Sequence, residues 1–147
     1  MPSQPTLTLP KAERIAGKKQ VDTLFGGHNH SLSAFPVRLV YVEQDRMEGE
    51  AQVKILTSVP KRCFKRAVKR NRVKRQLREA YRRNKHILLE RLSSVTDRQM
   101  LLAFIWIDNH LCDSATVEHR VVSLLERLTE RVDPNNPNNQ STSNTQG

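Results

Sequence analysis

The sequence predicts an α+β fold, a two-layer α-β sandwich in which one small sheet packs against helices. Three observations predict it. Residues 100–107 form an uninterrupted apolar run of strand length. Two segments rich in β-branched and aromatic residues, 35–42 and 51–59, precede that run. Amphipathic helical patterns flank it on both sides. The predicted order is α-β-β-(β)-α-β-α, where the bracketed element is a possible short strand at 57–60.

The first helix is predicted over residues 11–25, where apolar residues recur loosely at helical spacing and two glycines then provide a stop. The segments 35–42 and 51–59 are predicted strands, and the charged stretch 43–50 between them suits an antiparallel hairpin. Pro36 lacks an amide donor, so the first strand is expected to start at a sheet edge.

A long helix is predicted over roughly 65–92, a stretch without proline or glycine. Its apolar side gathers Val73, Leu77, Ala80, Tyr81, Ile87 and Leu88, and the opposite side is cationic. The apolar run 100–107 then forms a central strand covered on both faces. Ser114 is the predicted cap of a last helix whose role is packing. Its apolar stripe consists of Val117, Val121, Leu124, Leu125, Leu128 and Val132.

A chain of 147 residues suits one domain, which we expect over residues 10–132. Residues 1–9 are mixed and polar, with no stable period, and are predicted to be a disordered lead-in. Residues 133–147 contain no aliphatic side chain at all, so they are predicted to be a disordered polar tail.

Composition excludes several classes of protein. No apolar run approaches the roughly 20 residues that cross a bilayer, and no signal segment opens the chain. The cysteines, Cys63 and Cys112, form no C-x-x-C pair and no disulfide framework, so a cytoplasmic location is expected. The net charge of +10 points to a polyanionic partner, with nucleic acid first and an anionic membrane second.

The positive excess lies entirely in residues 61–85, which hold 13 Lys and Arg against a single acid, Glu79. Like charges at helical i,i+4 spacing repel, so something outside the chain must compensate them, and phosphates do so. A solvated cationic face is a weaker interpretation, because this density exceeds what solubility requires. A membrane-surface helix is weaker again, because the opposite face is needed for the core.

A motif within the run narrows the function. The triplet Arg70-Asn71-Arg72 is followed by a hydrophobic residue, then Lys-Arg and later Arg-Glu. This string resembles the signature of the bacterial ribonuclease P protein component family. Residues 58–62 are similar to the family's Val-Ser-Lys-Lys segment, and the first helix resembles the family's basic and aromatic helix. The resemblance covers about residues 10–130.

The resemblance implies that the protein joins a catalytic RNA and that together they remove the 5′ leader from precursor tRNA. Magnesium ions (Mg2+) in that holoenzyme are held mainly by the RNA. The family fold has a left-handed crossover, its second helix faces the RNA subunit, and a cleft between the first helix and the sheet accepts the leader. No membrane and no stable protein partner are expected.

Two sets of site residues follow from the resemblance together with the charge pattern. The RNA-binding set is Lys61, Arg62, Lys65, Arg66, Lys69, Arg70, Asn71, Arg72, Lys74, Arg75 and Arg78. The leader-binding set is Arg14, Lys18, Lys19, Phe25 and Phe35. From the pattern alone, the cleft and the core are equally expected positions for each of Phe25 and Phe35. Tyr41 and Trp106 are expected in the core.

The chain departs from the family pattern at two positions. Val21 stands where many members carry a second aromatic residue, which predicts weaker base stacking in the cleft. Phe64 stands where a glycine often precedes the long helix, and we expect it to pack in the core or against the loop.

No catalytic or metal-binding residue is predicted in the protein itself. His110, Cys112, Asp113 and His119 lie close together in sequence, but they occupy a turn and a packing helix at a spacing that matches no zinc pattern. The segment 28–30 is interpreted as a polar loop. The alternative function is a generic RNA-binding module such as a ribosomal protein, which explains the charge but not the motif.

Overall fold

The computed structural model describes residues 9–132. They form a four-stranded sheet with a short helix on one face and three helices on the other. The elements are a 3-10 turn at Lys11–Glu13, α1 Lys18–Leu24, β1 His30–Ala34, β2 Val37–Asp45, β3 Val53–Ser58, α2 Ala67–Asn84, α3 His86–Leu92, β4 Arg98–Trp106 and α4 Ser114–Arg131. The predicted α+β sandwich is confirmed.

The strand order is β1-β2-β4-β3. β1 pairs antiparallel with β2, β2 pairs antiparallel with β4, and β3 pairs parallel with β4. The apolar run therefore forms an inner strand, as predicted, and residues 99–104 are buried on both faces. The parallel pair makes the path from β3 through α2 and α3 to β4 a crossover connection, whose left hand stays a prediction.

Alternate residues of each strand pack in two separate cores. Leu39 and Phe104 belong to the larger core, which α2, α3 and α4 cover. Val40 and Ala103 belong to a smaller core on the other face, where Leu24 of α1 packs. The apolar stripe of α4 is buried, as predicted. Because α1 has only seven residues, it covers part of its face and leaves the rest open.

The predicted helix over 11–25 is wrong in its first half. Gly17 adopts φ 87°, a left-handed conformation that a helix does not tolerate, so α1 starts only at Lys18. Before it, Arg14 forms an isolated parallel bridge with Ile55 of β3, and the Ile15 amide donates to the Ile55 carbonyl at 2.8 Å. The chain here runs beside the sheet as an extended segment.

Leu9 belongs to the larger core rather than to a lead-in, since only 1% of its surface is exposed. Ile15, six residues later, packs in the smaller core on the opposite face. Residues 9–15 therefore wrap the edge of β3, and we refer to them as the N-terminal strap. The rest of the predicted lead-in, and the predicted tail 133–147, lie outside the described residues.

The predicted hairpin between the first two strands is also wrong. β2 and β3 do not pair, because β4 lies between them. The hairpin that forms joins β2 to β1, which the pattern missed because only Leu32 of that strand is buried. Pro36 lies in the turn between β1 and β2. The strand that follows it, β2, is internal, and the outer strand is β1, so the predicted edge position is wrong. β3 ends at Ser58, and no separate strand follows at 57–60.

The long predicted helix is two helices that meet at Lys85. The Asn84 side chain donates to the Ala80 carbonyl and to the Glu118 carboxylate, both at 2.8 Å, and such side-chain bonds compete with helix continuation. The cap of α4 is Asp113 rather than Ser114, since the Asp113 carboxylate accepts from the Thr116 amide at 2.8 Å. Among residues 9–132, none of the helices combines the length and apolar character that a bilayer crossing requires.

Candidate nucleic-acid interface

Most cations in the first half of the cationic run are unpaired. Apart from Arg70, their side chains make no hydrogen bond or ion pair with the rest of the described residues, and all but one of these are exposed. They are Lys61, Arg62, Lys65, Arg66, Lys69, Arg72, Lys74 and Arg75, with Lys74 half-buried. We call these eight side chains the free cationic surface. All eight belong to the predicted RNA-binding set.

The second half of the run is neutralised within the protein. Arg82 pairs with Glu79, Arg83 with Glu118 at 3.6 Å, and Lys85 with Glu13 at 2.8 Å. The hydrogen bond from Arg82 holds the pKa of the Glu79 carboxyl below its usual range. The positive field is therefore concentrated before α2 and along its first half.

The start of α2 adds to the unfavourable charge. Its cap residue, Arg66, makes no side-chain capping bond, and the first turn contains no acid. The free amides of a helix start carry partial positive charge, so cations placed there repel the helix dipole. An external anion relieves both effects, which favours a polyanionic ligand at this end of the helix.

The Arg70-Asn71-Arg72 triplet divides into two roles. The Arg70 guanidinium donates to the carbonyl oxygens of Phe64 and Lys65 at 2.7 and 2.8 Å, so it holds the loop before α2 in place. Asn71 and Arg72 are exposed and make no side-chain hydrogen bond within residues 9–132. Both bonds come from Nη1 of Arg70, and the contact of this residue with RNA stays a prediction.

The loop that Arg70 holds is anchored in the core. Phe64 is buried there, which confirms the packing role expected for it. The neighbouring Cys63 is also buried, with its Sγ 3.7 Å from the Trp106 carbonyl. The cations of residues 61–66 are therefore presented from a fixed loop.

Arg78 brings the two predicted surfaces together. Its guanidinium is half-buried and donates to Thr57 Oγ1 of β3 at 3.4 Å. Burial lowers the pKa of Arg78, and the nearby charges of Arg14 and Arg75 lower it further. Arg14, from the predicted leader set, thus lies near Arg78 of the RNA-binding set. Its own Nε and Nη2 donate to the Leu9 carbonyl at 3.0 and 2.8 Å.

The other predicted leader residues are on the surface beside α1 and at the β1–β2 turn. Phe25 is 44% exposed and Phe35 61% exposed, so neither is a core residue. Lys18 and Lys19 are exposed on α1, where Lys18 pairs with Asp22 at 3.3 Å. An open groove beside α1 is lined by Lys18, Lys19, Asp22, Thr23, Gly26, His28, Val42 and Glu43.

The remaining aromatic residues have structural roles. Tyr41 and Trp106 are buried in the larger core, as predicted. Val21, which departs from the family pattern, packs partly buried against the smaller core. At this position the chain therefore makes an aliphatic core contact, where the family pattern often has an aromatic side chain.

The side chains near His110 have separate contacts. His110 Nδ1 lies 3.3 Å from Asp108, and Asp113 is used as the cap of α4. The His30 ring lies 5.3 Å from that of Tyr41. Across residues 9–132, no three His, Cys, Asp or Glu side chains lie close enough together to hold a metal ion.

Sequence comparison places these features among known proteins. The family model described as Ribonuclease P matches residues 9–128. The ribonuclease P protein component of Porphyromonas gingivalis strain W83 is 40% identical over 137 residues, which cover 90% of this chain and 94% of that protein. The protein of the same description from Chlorobaculum tepidum is 37% identical over 106 residues, covering 69% of this chain and 68% of that one.

Solved structures support the fold. The ribonuclease P protein of Thermotoga maritima superposes with a TM-score of 0.58 at 22% identity, covering 78% of this chain and 96% of that chain. The Staphylococcus aureus protein gives a TM-score of 0.58 at 16% identity, covering 80% and 96%. These similarities give no support to the alternative of a ribosomal protein.

Proposed function

Since the chain belongs to the ribonuclease P protein family, we propose that its free cationic surface binds the catalytic RNA subunit. Membership makes it the protein subunit of a ribonucleoprotein enzyme whose role is tRNA 5′ leader processing. The observation that carries the proposal is the unpaired state of eight cations in the loop before α2 and along its first half. Each phosphate they neutralise releases condensed counterions, and this release drives assembly.

We assign contacts of different kinds to Arg72, which belongs to this surface, and to Asn71, which precedes it on α2. The Arg72 guanidinium presents a planar fork that binds phosphate or a base edge through two parallel hydrogen bonds. The Asn71 amide is the uncharged member of the triplet and offers both a donor and an acceptor. Arg70 acts through the loop it holds, so its replacement disturbs the placement of Lys65 and Arg66.

We assign the precursor tRNA leader to the cleft between α1 and the uncovered part of the sheet. Lys18 and Lys19 supply charge in the groove beside α1, and the exposed rings of Phe25 and Phe35 are available to stack on unpaired bases. Arg14 lies near Arg78 at the β3 edge, where the cleft meets the free cationic surface. One RNA-binding face therefore continues from the leader to the RNA subunit.

We propose that the holoenzyme uses Mg2+ and that the RNA subunit mainly holds it. The described residues offer no cluster of acidic, histidine or cysteine ligands that fits such an ion. The protein's part is to bind and orient RNA, and we expect it to cut no RNA alone. The cytoplasm is the proposed location, supported by the unpaired state of Cys63 and Cys112. We propose no stable protein partner.

Reconstitution tests this function directly. The purified full chain is mixed with a bacterial ribonuclease P RNA and a precursor tRNA at low magnesium. We expect the protein to raise the rate of leader removal, since it supplies charge neutralisation that magnesium otherwise provides. A protein that binds this RNA without raising cleavage would be a general RNA-binding module instead.

The affinity for the RNA subunit is expected to depend strongly on salt. If about five phosphates are neutralised, the logarithm of the association constant falls against log salt with a slope of roughly −3.5 to −4.5. Filter binding or fluorescence titration over a salt series measures it. A nearly flat dependence contradicts the assignment of the free cationic surface.

Phe25→Ala is expected to weaken binding of precursor tRNA by about 1–3 kcal/mol, the loss of one base stack, and to leave binding of mature tRNA unchanged. Assembly with the RNA subunit should also be unchanged, because Phe25 lies outside the free cationic surface. Met47→Ala is the matched control, since Met47 is 70% exposed in the loop between β2 and β3. If Phe25→Ala and Met47→Ala change precursor binding equally, the assignment of Phe25 to the leader cleft is wrong.

A further inference from the structure

One end of the sheet face beneath α1 is uncovered. Counting along the register, Ser33, Arg38, Ile105 and Ser58 form one row across all four strands on that face. The next row contains Val40, Ala103 and Leu56. Ile105 and Leu56 are only partly buried although they lie on β4 and on β3 beside it, so the elements within residues 9–132 cover this end of the face incompletely.

The α1 contacts end next to this row. Leu24 of α1 packs in the smaller core with Val40, Val42, Leu101 and Ala103. Arg38 lies two residues before Val40 on the same face of β2 and is exposed, whereas Val40 is buried. The row containing Arg38 borders the turn that carries Phe35, on the side where β3 leads to Lys61.

Arg38 is the one charged side chain in this row, and it lacks a partner. It is exposed, and it makes no hydrogen bond or ion pair within residues 9–132. Other strand cations are engaged: Lys54 pairs with Glu50 at 2.7 Å and Arg98 with Asp45 at 2.7 Å. Arg38 thus resembles the free cationic surface in its unpaired state, although it lies far from it in sequence.

We propose that Arg38 is a specificity-determining residue of this protein, whose guanidinium binds a phosphate of the single-stranded leader as it crosses the uncovered end of the sheet. The partly exposed Ile105 and Leu56 give the floor an apolar surface for bases or sugars, and the Ser33 and Ser58 positions place hydroxyls at either side. This inference rests on the proposed leader cleft. It names a contact beyond α1, so it predicts dependence on leader length.

The test uses the holoenzyme reconstituted with Arg38→Gln, Arg38→Lys or Arg98→Gln protein. Binding is measured for mature tRNA and for precursor tRNAs that differ only in leader length. Arg38→Gln should weaken binding of long-leader precursors by about tenfold, the scale of one charge-assisted contact, and reduce the salt slope by about 0.7. Binding of mature tRNA and of a precursor with a single leader nucleotide should not change.

The two other variants serve as controls. Arg38→Lys keeps the charge and should retain most of the long-leader affinity, and Arg98→Gln removes a strand cation that is already paired. The inference is overturned if the Arg38→Gln holoenzyme binds every precursor as tightly as the unaltered holoenzyme does. It is also overturned if the substitution weakens binding of mature tRNA by the same factor as binding of precursors. In both cases the proposed leader cleft is unaffected. If the unaltered holoenzyme itself does not distinguish long-leader precursor from mature tRNA, the cleft proposal fails and this inference with it.

Discussion

Replacing Lys69 and Arg72 together with glutamine is expected to weaken assembly with the catalytic RNA on the order of 100-fold, since two charge-assisted contacts are lost. Replacing Arg82 and Arg83 with glutamine removes the same charge from the same helix, yet assembly should change by less than about threefold. The difference arises because Lys69 and Arg72 are free, whereas Arg82 and Arg83 are paired with Glu79 and Glu118. Cations already paired within a protein release few counterions on binding.

Equilibrium binding at two or more salt concentrations separates contact from general attraction. The Lys69 and Arg72 variant should lower the salt slope by about 2, one unit for each phosphate contact, and the paired-cation variant should leave the slope unchanged. Circular dichroism of both variants confirms that α2 persists. Equal loss in the two variants would mean that net charge alone attracts the RNA, and the division of α2 into free and paired halves would have no functional meaning.

The sequence predicted the cationic run but not this division. A count of charges along residues 61–85 shows the excess, and helical spacing shows the face. The acids that neutralise its second half are distant in sequence, since Glu118 lies on α4 and Glu13 in the N-terminal strap. Only the tertiary fold brings them to Arg83 and Lys85. The same holds for Arg70, whose bonds to the Phe64 and Lys65 carbonyls depend on the path of a loop.

Secondary structure was predictable where one pattern dominates. β4 is apolar from Met100 onward and α4 carries a regular apolar stripe, and both form as predicted. β1 was not predicted, because a partly exposed outer strand buries few side chains and so shows little periodicity. The strand pairing was not predicted either, because composition does not encode which strand lies between two others. In this sheet β4 lies between β2 and β3 and separates them.

Arg38 was invisible to sequence analysis for a related reason. An arginine in a strand ordinarily faces solvent and contacts nothing in particular, so its type carries no signal. Its interest comes from the register, which places it beside Ile105 on an uncovered part of the floor. The proposed function of Arg38 depends on its exposure on the sheet, and this exposure is set by where the helices pack in the whole fold.

The N-terminal strap gives the largest expected effect on stability. Leu9→Ala should lower the free energy of unfolding by about 2–5 kcal/mol, because Leu9 is fully buried in the larger core and its truncation leaves a cavity. Sequence analysis placed Leu9 in a lead-in because two leucines among prolines and threonines are too few to establish a period. Urea denaturation measures the change, and Leu111→Ala is the matched control, with 36% of Leu111 exposed in the loop before α4.

The contacts of the N-terminal strap also predict which part of the fold Leu9→Ala destabilises first. Beyond Leu9 it is fixed by the Glu13–Lys85 pair and by the Ile15 amide, which donates to Ile55 of β3. Without the Leu9 anchor, the strap should open locally before the sheet unfolds, so hydrogen exchange at the Ile15 amide should rise more than at β4 amides. If Leu9→Ala costs no more than Leu111→Ala and exchange at Ile15 is unchanged, residues 9–15 do not hold the β3 edge. If both effects appear, the strap is what keeps Arg14 next to Arg78 where the two RNA surfaces meet.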